Sequence, residues 1–242
     1  MNSIIFKIFD KTFKQTNGIY ELTPHQNVDM IQIVKNNCEA IIKDLKGDHL
    51  LIRNDVHGAE VIDADLIVDF SVRVEADAAV ASKSGLILSV LSADCVPVLL
   101  GSMNEKVIGA AHCGWRSAKA DILKETVALM RAKGADSIFA VIGPAIHQEN
   151  YEVGQEFYDE IIATEPHASD LFKKSQNGQK WMFDLPGFIK LKLNKLEISH
   201  IIDLCEDTYS HPEKYYSYRR DIHLRDAIHQ TNILSAIMIQ HP

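Results

Sequence analysis

Between Val28 and Leu45, apolar residues recur every three or four positions. Ile31, Val34, Cys38, Ile41, Ile42 and Leu45 share a face with Val28 before Gly47 ends the run. That spacing predicts an amphipathic helix over 28–45. The pattern then changes to short apolar runs broken by polar turns at 49–52, 78–81, 86–91, 96–100 and 107–111, which predict strands. Ile122, Leu123, Val127 and Met130 again share a helical face, so a second helix is expected from about 118 to 133, with Gly134 as its stop. A strand at 137–142 follows, then helices near 155–163 and 186–195, and strands at 201–204, 215–218 and 233–239. Helices and strands do not alternate regularly, which predicts an α+β fold. No repeat, low-complexity tract or Pro/Gly/Ser linker interrupts the chain, so a single catalytic domain over 1–242 is expected.

Composition narrows the class. A chain of 242 residues with 46% apolar content can bury a sizeable core. The net charge of −8, without a Lys/Arg block, argues against nucleic acid as a partner. No apolar run approaches the roughly 20 residues of a membrane span, and MNSIIFKIFDK lacks the apolar stretch and cleavage site of a signal peptide. A cytoplasmic protein without a membrane partner is expected. Four scattered cysteines, Cys38, Cys95, Cys113 and Cys205, do not make a secreted disulfide framework, and no disulfide is expected.

Three segments carry candidate chemistry: His57 in NDVHGAEV, Cys95 in LSADCVPVLL and His112 in GAAHCGW. One thiolate and two imidazoles suit an ion such as zinc, with a fourth position left for water or substrate. The ligands lie 38 positions apart (57 to 95) and then 17 (95 to 112), so the fold, not a finger loop, must assemble them. Each residue alone has a plainer reading. Cys95 fits a small core residue, His57 a turn histidine before Gly58, and His112 a sheet histidine bonded to a carbonyl. Cys113 beside His112 is expected to face the opposite side of the strand and to serve packing.

The same segments, QVHG-like, SADC-P-like and AHxGWR-like, occur in this order ahead of IGPAI (142–146), YEVG (151–154), FDLP (183–186), Cys205 and YSYRRD (216–221). Over roughly residues 50–225 the chain thereby resembles the laccase-domain or polyphenol-oxidase family. The resemblance implies one compact domain of mixed sheets flanked by helices, similar to a bacterial toxin deamidase. It also implies zinc at His57, Cys95 and His112, and phosphorolysis of purine nucleosides such as adenosine, inosine and methylthioadenosine, with adenosine deamination in some members. The partners would be small molecules, nucleoside and phosphate, and a monomer is expected. Phosphate needs cationic forks, for which Arg116, Arg219 and Arg220 are the candidates. On a strand, Arg219 and Arg220 would face opposite sides, so one of the two is expected to reach the site. Asp94, and with less support Asp55, could carry protons or orient a ligand histidine.

The surroundings depart from the family pattern. Asp55 stands where Gln is usual, Cys38 where the first helix has Arg, and Ser117-Ala118 follows GWR. His223-Leu224-Arg225 replaces Thr-Gly-Arg, and TFKQTNG replaces an early Arg-x-Gly-Gly stretch. An intact metal set with at least one arginine missing points to retained zinc and shifted or weakened phosphorolysis. The family's older name implies a multicopper centre, yet the 11 histidines include no His-x-His pair. Copper is therefore expected only in vitro at the Cys/His₂ set, with a polyphenol oxidase side activity. Two other readings stay open: a Cys95/His amidase-type hydrolase editing cell-wall precursors, and a non-enzymatic zinc-binding protein. No GxxxxGK, GxGxxG or GxSxG motif points to ATP, NAD or a serine hydrolase. Robust phosphorolysis of ordinary purine nucleosides by metal-replete protein would reject the shifted-substrate expectation.

Overall fold

The computed structural model describes residues 3–20, 28–224 and 231–242. Its strands in chain order are β1 (Ile4–Phe9), β2 (His49–Leu51), β3 (Val61–Asp63), β4 (Ala78–Ala81), β5 (Leu86–Ser92), β6 (Val96–Ser102), β7 (Ile108–Cys113), β8 (Ile138–Ile142), β9 (Glu152–Val153), β10 (Phe172–Lys174), β11 (Trp181–Phe183), β12 (His200–Asp203) and β13 (Ile233–Ile239). The helices are α1 (Val28–Leu45), α2 (Trp115–Lys119), α3 (Ile122–Ala132), α4 (Gln155–Thr164), α5 (Leu185–Lys195) and α6 (Tyr218–Leu224).

A four-stranded sheet has the order β1-β13-β5-β2 and a six-stranded sheet the order β12-β8-β6-β7-β4-β3, with a small β10-β11-β9 sheet beside them. Both large sheets are mixed. β2 runs parallel to β5, β3 to β4 and β12 to β8, while the remaining neighbours are antiparallel.

The central strands are buried on both faces, so consecutive side chains enter different cores. In β6, Leu99 packs between the two large sheets with Leu88, Ile108 and Ile237, while Leu100 joins Val127, Met130 and Phe188 on the helix-covered side. The outer face of the smaller large sheet packs Ile87, Leu234 and Met238 against Ile41 and Leu45 of α1. The result is one α+β domain layered as helix, sheet, sheet, helices. No helix among the described residues is long and apolar enough to cross a membrane.

Most expected elements fall within two residues of their observed ends, and α1 spans the expected 28–45. Two expectations are corrected. The helix expected over 118–133 is split into α2 and α3, because Asp121 takes a left-handed φ of 64° and its carboxylate receives Lys192 from α5. Residues 215–218 are not a strand, and Tyr218 opens α6. The amide of Arg219 donates to Asp94 Oδ2 (2.7 Å) and that of Arg220 to Ser217 Oγ (3.2 Å), so first-turn donors find oxygen acceptors that favour a helix start. Strands β1, β3, β9, β10 and β11 were not expected. Arg225 lies outside the described residues.

Replacing Leu99 by Ala should remove about 2–5 kcal/mol of unfolding free energy, read as a lower denaturant midpoint at unchanged slope. An unmoved midpoint would mean that the sheets do not depend on this packing.

Candidate functional site

The end of β5, the turn before β6, the end of β7 and the 53–58 loop converge on one cleft. Strand pairing explains the meeting of distant residues. Pro97 of β6 lies opposite His112 of β7, so Cys95, two residues earlier, stands beside the end of β7. The ligand atoms of His57, Cys95 and His112 lie within 4.8 Å of one another. The rings of His57 and His112 meet edge to face, with centroids 4.9 Å apart. Cys113 is fully buried in the helix-side core, on the opposite side of the strand from His112.

Asp77, just before β4, holds this arrangement. Its Oδ1 accepts from the His57 amide (2.8 Å) and from His112 Nδ1 (3.2 Å). Its Oδ2 accepts from the Gly58 amide (2.7 Å) and the Val56 amide (3.3 Å). One fully buried carboxylate thus fixes the loop carrying His57 and orients His112, leaving His112 Nε2 available to the cluster. It also helps keep His57 at a left-handed φ of 58°, which a non-glycine residue holds only when its neighbours impose it. No sequence motif singled out Asp77.

Gly114 closes the other side. A Cβ there would lie 3.1 Å from Cys95 Sγ and 3.3 Å from His57 Cδ2, closer than ordinary packing allows. Ser117 Oγ donates to the carbonyls of His112 (3.0 Å) and Gly114 (3.2 Å), tying α2 to the end of β7. Cys38 lies elsewhere, partly buried against the α1 core.

The cleft has two lobes that share His57, Ala93, Cys95, Arg116 and Tyr218. The larger, of about 500 Å³, extends along Asp55, Ser92 and Asn232. The smaller, of about 270 Å³, extends along Tyr151, Trp115 and Arg219. The Arg116 guanidinium lies 4.4 Å from the Trp115 ring centroid. Arg219 lies 5.1 Å from that of Tyr151 and donates to the Glu152 carbonyl (2.8 Å). Arg220 is not brought to the cleft. It is buried, and its guanidinium donates to the carbonyls of Thr208 (2.7 Å), Tyr209 (2.9 Å) and Tyr215 (2.6 Å). Only one of the adjacent pair lines the cavity, but helix geometry, not a strand pleat, separates them. Asp94 lines the smaller lobe with both oxygens engaged, by Thr208 Oγ1 (2.6 Å) and the Arg219 amide, which ties α6 to the turn before β6.

Electrostatics couple the three candidate ligands. Burial pushes the Cys95 thiol up, but the charge of His112 and hydrogen bonds from both rings outweigh this and bring it down to about 7. The His57 ring is raised, chiefly by its hydrogen bond with Cys95. Burial opposes charge on His112, yet Asp55, Cys95 and Asp77 hold it well above the usual histidine range. The donor set fits one ion: a thiol that ionises readily lies within reach of two rings, one of them oriented by a carboxylate. Among the described residues only one other cluster of this kind occurs, Asp55, Asp77 and His112, and it shares His112.

Residues 15–238 match a family described as multi-copper polyphenol oxidoreductase laccase. A Rickettsia conorii protein named purine nucleoside phosphorylase RC0672 is 41% identical over 239 residues, 98% of this chain and 97% of its own length. An Escherichia coli protein named purine nucleoside phosphorylase YfiH is 34% identical over 166 residues, 69% of this chain and 66% of its own. The crystal structure of Neisseria meningitidis protein NMB0706 matches with a TM-score of 0.82 at 24% identity, covering 98% of this chain and 95% of that one, which marks a shared fold.

Asp77→Asn should weaken zinc binding by about 10–100-fold, measured by competition with a chelator; unchanged affinity would remove Asp77 from its orienting part. Metal binding uses a thiolate and neutral imidazoles, so protons held by raised rings and a thiol near 7 must leave. Affinity should therefore climb as pH rises through about 7; a pH-independent affinity would contradict this ligand set.

Proposed function

The chain belongs to the multi-copper polyphenol oxidoreductase laccase family, and on that premise we propose that it is a zinc-dependent purine nucleoside phosphorylase acting on adenosine and inosine. Methylthioadenosine and adenosine deamination at the same centre belong to the proposal as secondary activities. One observation carries it: two lobes share a wall made by His57, Cys95 and Arg116. A reaction between two substrates needs both held against one centre, in line and close to it.

In phosphorolysis a phosphate oxygen forms a bond to the anomeric carbon as the bond from that carbon to the purine nitrogen breaks. The electron pair of the broken bond leaves with the base, and the sugar becomes ribose 1-phosphate. His57, Cys95 and His112 would hold the zinc, which when bound supplies positive charge to polarise an oxygen or acidify a water. Arg116 and Arg219 supply cationic donors where a phosphate can bind, and Arg219 is set in place by Asp94 through its own amide. Tyr151 and Trp115 give the arginine lobe flat apolar walls that limit water. The donor set also explains why the family's copper name need not describe the reaction, since one thiolate and two imidazoles make a mononuclear site. The second reading, a Cys95 thiol hydrolase, draws support from the thiol lowered to about 7.

Cys95→Ala should lose the metal and all phosphate-dependent base release together. Arg219→Met should raise the KM for phosphate about tenfold or more while keeping zinc. Rapid alkylation of Cys95 that zinc does not slow, with base release absent, would instead favour the thiol hydrolase.

A further inference from the structure

Behind the three candidate ligands, on the Nδ1 side of His112, the chain buries two carboxylates together. One oxygen of Asp55, one of Asp77 and a ring nitrogen of His112 lie within 4.8 Å of one another. Asp77 disperses its charge over three amides and the ring, with Nδ1 at 3.2 Å. Asp55 stands instead between the same Nδ1, at 3.8 Å, and the Arg53 guanidinium, whose Nη2 lies 3.9 Å from its Oδ1. A neutral imidazole carries one N–H, and here the closer acceptor is Asp77. The fixed charge that faces Asp55 is therefore that of Arg53.

Arg53 is 3% exposed. Its Nε donates to the Ala76 carbonyl (3.2 Å) and its Nη2 to the Asp77 carbonyl (3.5 Å), while Nη1 is buried without a partner. Two long bonds to main-chain carbonyls do little to offset the burial of a guanidinium. What offsets it is the pair of carboxylates in front of it, and the balance works in both directions. Without the cation, two like charges would share one poorly solvated wall. Asp55 would then lower its energy by taking the nearest donor, His112 Nδ1, and a ring turned toward Asp55 takes its Nε2 away from Cys95 and His57.

We propose that Arg53 is a positioning residue of this centre: its charge holds Asp55 off the His112 ring, so that Nδ1 stays with Asp77 and Nε2 stays turned to the cluster. The role goes beyond the phosphorylase reaction and rests only on the reading that His57, Cys95 and His112 hold zinc. Arg53 touches neither substrate nor metal and acts through Asp55 and His112.

The test is zinc affinity by chelator competition in Arg53→Met, Arg53→Lys and the double variant Arg53→Met/Asp55→Asn, joined to denaturant unfolding of the same proteins without metal. Arg53→Met should bind zinc about tenfold or more weakly. The double variant, which removes both charges, should return to within about threefold of wild type. Arg53→Lys, which keeps the charge and loses the planar fork, should also stay within about threefold. A residue that served only to clamp the carbonyls of Ala76 and Asp77 would give another order, because removing the Asp55 charge does not restore those bonds. A double variant as weak as Arg53→Met therefore overturns the assignment, and so does unchanged affinity in folded Arg53→Met. If Arg53→Met does not fold, the other two variants decide: zinc kept in both supports charge balance, and zinc lost from the double variant overturns it. Wild-type protein that binds no zinc would sink the zinc reading by itself. Unfolding without metal then decides for Arg53: a midpoint lowered in Arg53→Met and regained in the double variant supports the compensation of Asp55, and no recovery overturns it.

Discussion

The Asp77 carboxylate is the interaction on which the rest of the centre depends. It is buried at the head of β4, where one charge must be satisfied by the protein itself. Three consecutive amides and one imidazole supply the donors. The amides can converge only if the 56–58 segment turns sharply, and His57 is carried in that turn at positive φ. The imidazole bond fixes which His112 nitrogen is free. The main chain adds a second tie, from the His112 amide to the Asp77 carbonyl (2.7 Å). A loop and the neighbouring ends of β4 and β7 are thereby locked together, and Cys95 is delivered beside them by the pairing of β6 with β7.

Around that anchor the chain separates two kinds of surface. Arg219 sits over Tyr151, with α6 held by Asp94 from the β5–β6 turn, while Asp55 and Ser92 border the opposite lobe. The turn is therefore bifunctional. Cys95 faces the shared wall, and its neighbour Asp94, at a φ of 92°, ties down the helix that brings the arginine. Positive φ at two positions lining the cleft, His57 and Asp94, fits a geometry imposed by the surrounding fold. Among the described residues both potential metal clusters draw on the same histidine, His112.

Much of this was legible in the chain. The 3.6-residue spacing of α1 and the apolar runs of β5 and β13, broken only by serines, follow from burial, so their positions could be read directly. The segments around His57, Cys95 and His112 pointed to three side chains that the fold brings within 4.8 Å of one another. What the pattern could not carry was tertiary. Tyr215 to Tyr218 has strand-favouring aromatics, yet capping by Asp94 and Ser217, the former more than a hundred residues away, makes its end a helix start. Strand β1 is assigned by its partner β13 at the opposite end of the sequence. Asp77 has no local signal, because its four donors come from residues 56–58 and 112, and an Asp before a run of alanines reads as an ordinary turn residue. Arg219 and Arg220 are chemically identical neighbours, and only the path of α6 separates the one lining the cleft from the one bonded to carbonyls.

The most direct test of the account is the identity of the sugar product when zinc-replete protein is given inosine and inorganic phosphate. The account predicts hypoxanthine and ribose 1-phosphate in equal amounts, with no turnover when phosphate is withheld. Free ribose formed at the same rate with or without phosphate would contradict it, because the arginine lobe would then have no anionic substrate to hold.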